Sequence, residues 1–185
     1  MALMLGRWLP YQVQASRLWM RAGFYQAGGA LGFRDQLQDM LALLHTRPAA
    51  VRAHLLECAA HQFEEGDVQH WWHPPRYGVR TRISDDKLFL PYVTALYVQT
   101  SGDASVLGEE LPYLRGESLS EEETERLFTP EVSEISEPLR LHCLRAIDHV
   151  ACGAHGLPLM GGGDWNDGMN RVGGENGESV WLGMF

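Results

Sequence analysis

The sequence predicts an all-α fold of stacked helical hairpins, and three observations carry that reading. Apolar residues recur at the i, i+3, i+4, i+7 spacing of a single helix face in several separate segments. Helix-start chemistry precedes those segments, with Pro48, Ser136 and the run Ser84-Asp85-Asp86 in the expected places. Strand-like alternation is confined to residues 77–83, where apolar and basic side chains take turns.

A first helix is expected over about residues 10–21. Residues 35–45 carry Leu37, Met40, Leu41 and Leu44 on one stripe. Residues 48–63 repeat the pattern with Val51, His54, Leu55, Cys58, Ala59 and Gln62. Pro48 suits the first helical position, where its missing N–H would have no partner. Ser84-Asp85-Asp86-Lys87 reads as a cap with acidic first-turn residues, favourable at the positive helix end, before a helix over 88–99. Pro91 means that this helix either starts or kinks there. Residues 139–152 place Leu141, Leu144, Ile147 and Ala151 on a stripe, with Ser136 as the cap. The stretch 117–125 holds five Glu and reads as a solvated loop or helix face.

Composition narrows the function. With 185 residues, 45% of them hydrophobic, the chain can bury a real core and is not disordered throughout. No apolar run approaches the roughly 20 residues of a membrane span. The opening MALMLGRWLPYQ lacks the small-residue cleavage site of a secretion signal. A net charge of −9 disfavours a nucleic-acid or anionic-membrane partner. Cys58, Cys143 and Cys152 are widely spaced, so reduced thiols in a cytoplasmic protein are expected.

Chemistry concentrates in two Gly-rich stretches. In GGGDWNDGMN (161–170), three glycines precede an indole flanked by Asp164, Asn166 and Asp167. Carboxylates and amides satisfy sugar hydroxyls, an indole face packs on the C–H side of a pyranose, and a poorly solvated carboxyl keeps its proton more readily. The plainer alternative is a turn with local Asp and Asn hydrogen bonds. An EF-hand match of Asp164, Asn166 and Glu175 fails at the central glycine, where Met169 stands, so no metal is expected. In GFYQAGGALGFRDQLQD (23–39), an aromatic Gly loop enters a helix on which Arg34, Gln38 and Leu41 share one face and Asp35 and Asp39 another. Here a ligand pocket competes with simple capping and ion pairing. His70-Trp71-Trp72-His73-Pro74-Pro75 lacks a third metal ligand and reads as a rigid aromatic loop lining a groove.

Taken together, RWLPYQ (7–12), the run 23–39 and GDWNDGMN (163–170) resemble glycoside hydrolase family 94, the inverting glycoside phosphorylases formerly grouped as glycosyltransferase family 36. The C-terminal phosphorylase-like region of cyclic β-1,2-glucan synthases is the most similar subgroup, which RTRISDD (80–86) and LFTPE (127–131) also fit. The resemblance implies an (α/α)6 barrel, with residues 1–185 a fragment of that single catalytic domain and no second domain. It implies Asp167 as the general acid that protonates the glycosidic oxygen while inorganic phosphate, the co-substrate, attacks the anomeric carbon from the opposite face. No cofactor is implied. Trp165, Arg34 and Asp39 are similar to residues that hold the glucosyl unit, with Asp164 and Asp35 behind them. The two Gly-rich stretches would then form two walls of one sugar site.

The family's phosphate-binding His and Thr-Gly pair lie further along than Phe185, so this piece is expected to fold weakly and be inactive alone. The implied partners are a β-glucan oligosaccharide and either the remainder of a larger synthase or a second copy of the chain, with no nucleic acid. The implied location is the cytoplasm, or the cytoplasmic part of an inner-membrane synthase. A fragment that holds sugar, or serves as a structural helical module, without turning anything over stands as the alternative.

Overall fold

The computed structural model describes residues 2–19, 29–169, 171–172 and 176–185. An N-terminal arm is helical but irregular: α1 (Leu9–Gln12) lies between the wider π-turns Met4–Trp8 and Val13–Leu18. The arm leaves Leu3, Leu5, Trp8 and Tyr11 exposed and packs on the remainder mainly through Val13–Leu18. Four longer helices follow, α2 (Phe33–Met40), α3 (Pro48–Ala59), α4 (Phe89–Ser101) and α5 (Leu139–Asp148), and a short α6 (Val180–Met184) ends the chain. Pro91 lies in the first turn of α4, where a missing N–H costs nothing, so the helix starts there and continues past it.

Among the described residues six strands stand beside these helices. The order β1-β2-β3-β5 makes one antiparallel sheet from Leu31–Gly32, Gln69–His73, Tyr77–Thr81 and Glu125–Phe128. A two-stranded ribbon pairs β4 (Glu110–Arg115) with β6 (Glu131–Pro138). The all-α expectation, and with it the (α/α)6 barrel, is therefore corrected: the described residues form a mixed fold of helices and two antiparallel sheets. The missed strands are short or solvated. In β6 both Val132 and Ile135 are exposed and only Ser133 is buried, so no inward-outward alternation marks it. Of the expected aromatic loop at 70–75, residues 70–73 belong instead to strand β2, whose Trp72 is buried. Ser136 caps nothing, because it pairs with Pro112 in the ribbon.

The core lies where α2, α3, α4 and α5 meet. Phe33, Leu37 and Met40 pack with Val51, Leu55 and Cys58, with Leu90, Val93 and Tyr97, and with Leu139 and Cys143. At full burial each such side chain contributes about 1.5–3 kcal/mol of transfer free energy. The α5 stripe is shifted from expectation. Leu139, His142, Cys143 and Ala146 face inward, while Leu144 and Ile147 are half-exposed. Cys58 and Cys143 are buried free thiols.

Candidate active site

Helix α2 begins directly after β1, and this junction aims Arg34 into the molecule. Arg34 is the second residue of the helix and is buried. Gln38, one turn later, projects from the same face, whereas Asp35 and Asp39 project from another toward the arm. Arg17 pairs with Asp39 through Nε, and its Nη2 lies 3.8 Å from Asp35. The predicted split of this helix into two polar faces is thus present in the fold.

The Gly-rich loop at 161–169 is stapled to the segment before α4. Gly162 donates to the Arg82 carbonyl at 2.8 Å, and Ser84 donates to the Gly163 carbonyl from both its N–H (2.9 Å) and its hydroxyl (3.0 Å). Gly161 adopts φ +61°, and a Cβ there would stand 2.2 Å from the Arg82 carbonyl oxygen, so only glycine fits. Asp164 is buried and committed to the loop itself. One of its oxygens accepts from the Asn166 N–H at 3.1 Å, the other from the Ser179 hydroxyl at 2.7 Å. Asn166 in turn accepts from the Gly168 N–H.

The two Gly-rich stretches meet at Arg34. Its Nη1 donates to Asp85 (3.2 and 3.3 Å) and to the Asp164 carbonyl (3.3 Å), while Nη2 donates to both oxygens of Asp167 (3.1 and 3.2 Å). One turn along, Gln38 accepts from the Trp165 indole N–H at 3.0 Å. The loop is thereby sewn to one face of α2, leaving Trp165 half-exposed and Asp167 at the rim. A small cleft of about 50 Å³ opens there, lined by Gly32, Arg34, Asp35, His70, Asp86 and Asp167 among others.

Of the expected site residues, Arg34, Asp167, Trp165 and the Asp164 backbone converge, and Asp35 lines the cleft. Asp39 is turned away onto Arg17. The residues missed by the sequence reading are Asp85, Asp86 and His70. Ser84–Lys87 was expected to cap a helix; instead Asp85 is fully buried and Asp86 is 2% exposed. His70 on β2 meets Asp86 at 2.6 Å through Nδ1 and stands 3.8 Å from Asp167 through Nε2. A run of three charges directly before an apolar helix was the available signal.

The electrostatics follow from this crowding. Burial, reinforced by the neighbouring Asp86 charge, pushes the Asp85 carboxyl up to about 7 against the pull of Arg34. Burial also works against the Arg34 charge, but Asp86, Asp85 and Asp167 outweigh it and raise its pKa. His70 is raised in the same way: burial opposes its charge, and its hydrogen bond and charge pairing with Asp86, helped by Asp167, prevail. Burial lowers Lys87, whose ammonium donates to the Ser84 carbonyl at 2.9 Å. Two buried atoms of the cluster, Arg34 Nε and Asp86 Oδ1, have no hydrogen-bond partner. Among the described residues no group of three or more His, Cys, Asp or Glu is placed to hold a metal ion, and Glu175, needed for the calcium comparison, lies outside them. The same holds for residues 23–28 of the first Gly-rich stretch.

The whole chain, residues 1–185, matches the family described as "Glycosyl hydrolase 94 superfamily, catalytic domain". The chain belongs to this family. It is 51% identical, over 98% of its length, to the cyclic beta-(1,2)-glucan synthase NdvB of Rhizobium meliloti (strain 1021), of which it covers 7%. It is 26% identical over 94% of its length to the N,N'-diacetylchitobiose phosphorylase of Vibrio furnissii, covering 23% of that protein. The solabiose phosphorylase of Paenibacillus borealis is 30% identical over 86% of this chain, which spans 19% of it. The chain thus corresponds to less than a quarter of each of these family 94 relatives. Among the described residues no helix is long and apolar enough to cross a membrane.

Proposed function

We propose that the chain supplies the general-acid wall of a phosphorolytic site acting on β-linked glucan, most simply the β-1,2 linkage. The observation that carries this reading is the convergence of α2 and the 161–169 loop on one guanidinium, which holds Asp167 at the rim of a cleft. The 51% identity to a cyclic beta-(1,2)-glucan synthase supports the linkage. In this reading Asp167 protonates the glycosidic oxygen, and inorganic phosphate attacks the anomeric carbon from the opposite face and inverts it. Phosphate is already a nucleophile, so no second carboxylate is needed as base. The half-exposed Trp165 indole presents a face to the pyranose, and Arg34 and Asp35, which line the cleft, supply a donor and an acceptor for its hydroxyls, while Asp39, turned onto Arg17, acts by fixing the arm against α2. Asp164 acts through the loop, whose shape its two hydrogen bonds fix.

The chain works as part of one catalytic domain, with the phosphate site contributed by further residues of a larger synthase or by another copy. Its buried free thiols suit a cytoplasmic setting. The test is phosphate-dependent release of glucose 1-phosphate from β-1,2-glucan oligomers by the protein at its natural length. Asp167→Asn is expected to abolish release. Release that survives this substitution, or that needs no phosphate, defeats the reading; sugar binding without any turnover assigns the chain a binding role instead.

A further inference from the structure

Asp167 faces two basic side chains, and they differ in one decisive property. Arg34 grips both carboxylate oxygens from α2 but never gives up a proton at ordinary pH. His70 approaches Oδ2 from β2 and can. We propose that His70 is the positioning and proton-supplying residue for Asp167, linked through the line Asp86–His70–Asp167. The proposal rests on the assignment of Asp167 as general acid.

The geometry of the imidazole fixes where its mobile proton sits. Nδ1 lies 2.6 Å from Asp86 Oδ2, and an ionised carboxylate only accepts, so Nδ1 keeps its hydrogen in either charge state of the ring. The proton that comes and goes is therefore on Nε2, the nitrogen directed at Asp167. Asp86 is buried at 2% exposure and holds the ring from behind, as a carboxylate fixes the tautomer of a catalytic histidine. The charged groups facing the ring are Asp86 from the segment before α4, Asp167 from the Gly-rich loop, and Arg34 from α2, with Asp35 of α2 in the same cleft.

Asp167 loses its proton to the glycosidic oxygen and is left as a carboxylate. The Nε2–H bond of His70 then breaks and an O–H bond forms at Asp167 Oδ2. The imidazole becomes neutral, still donating from Nδ1 to Asp86, and solvent returns a proton to Nε2. The 3.8 Å separation is longer than a transfer distance and must shorten by about 1 Å, as catalytic contacts commonly do when substrate is bound. Asp167 has room to move, because its side chain is 48% exposed.

The experiment measures phosphorolysis of β-1,2-glucan oligomers from about pH 5 to 9 with the protein at its natural length. The wild type is expected to lose kcat on an alkaline limb whose midpoint lies above the ordinary histidine value of about 6.5. His70→Asn retains a donor toward Asp86 but carries no transferable proton. It is expected to lower kcat at least tenfold, to change KM less than threefold, and to flatten the alkaline limb, while added imidazole partly restores the rate of His70→Ala. A wild-type profile with no alkaline limb, a measurement that needs no folded variant, overturns the proposal. So does an unaltered limb in His70→Asn. Asp167→Asn separates the two failures: if it stays active, the general-acid assignment falls, whereas if it is dead and His70→Asn is normal, only the role of His70 falls.

Discussion

Arg34 and Asp167, 133 residues apart in sequence, are joined by one guanidinium nitrogen that donates to both oxygens of the carboxylate. The other terminal nitrogen of the same group holds Asp85 and the Asp164 carbonyl, so a single buried cation fixes the relation between α2, the segment before α4 and the Gly-rich loop. Removing it takes the shared cation out of a buried acidic cluster and leaves Asp86 to His70 alone, a class of change that costs about 3–5 kcal/mol. Arg34→Ala is expected to lose stability in that range by urea denaturation. Arg34→Lys should recover little of it, because one ammonium cannot reach three acceptors in the fork geometry. A loss below about 1 kcal/mol in Arg34→Ala would contradict this account.

The wall carried by α2 was legible because its information is local. Residues four apart share a helix face, so Arg34 with Gln38, and Asp35 with Asp39, separate by spacing alone. The carboxylates beneath Arg34 were not legible, for Asp85 and Asp86 look like first-turn acids of α4 until their partner 51 residues away is placed. His70 was hidden in the same way, since its two carboxylates come from other segments. The strands were lost for a different reason. Val132 and Ile135 of β6 both face solvent, and Leu144 and Ile147 of α5 do so too beside the inward Leu139, Cys143 and Ala146, so apolar identity alone did not report burial there.

The backbone of the Gly-rich loop is as specific as its side chains. At Gly161 a methyl group would meet the Arg82 carbonyl oxygen at 2.2 Å, on a left-handed backbone that alanine adopts only under strain. Gly161→Ala is expected to cost about 2 kcal/mol or more and to displace the loop from Ser84. Gly108 is the natural comparison, with nothing within 4 Å of its would-be Cβ. Gly108→Ala should stay within about 0.5 kcal/mol of wild type in thermal unfolding. Equal effects at the two positions would show that the staple to Arg82 has no energetic weight.

The contact between Trp165 and Gln38 separates anchoring from sugar contact. The indole is 52% exposed, so its hydrogen bond contributes at most about 1 kcal/mol to stability. Trp165→Phe removes the N–H but keeps an aromatic face, and Gln38→Ala removes the acceptor alone. Both should lower stability slightly, and the double variant should cost less than their sum. Sugar binding, measured by calorimetry with β-1,2-glucan oligomers, should survive Trp165→Phe with a modest loss and collapse in Trp165→Ala. Unchanged binding in Trp165→Ala would remove the indole from the sugar site.

Asp85 gives the site a pH signature of defined sign. Its carboxyl titrates at about 7 in the folded chain against an ordinary 3.8, so the folded state binds this proton more tightly than the unfolded state does. The corresponding contribution to stability is fully present below about pH 4, is lost as the pH rises from there to about 7, and is constant above. Its full span is up to about 4 kcal/mol at about 1.4 kcal/mol per pKa unit. Asp85→Asn abolishes the titration while leaving an amide that can still accept from Arg34. The unfolding free energy of wild type minus that of Asp85→Asn should therefore fall steadily between pH 4 and 7 and then level off. Partly exposed carboxylates whose pKa values are depressed, such as Glu123 beside Arg126 and Asp103 with its Ser105 and Tyr97 hydrogen bonds, act in the opposite sense in acid. They are common to both proteins and cancel in the difference. A difference that is flat or rises over that interval would mean that Arg34 holds Asp85 ionised throughout, and that the buried cluster carries one more negative charge than its raised carboxyl implies.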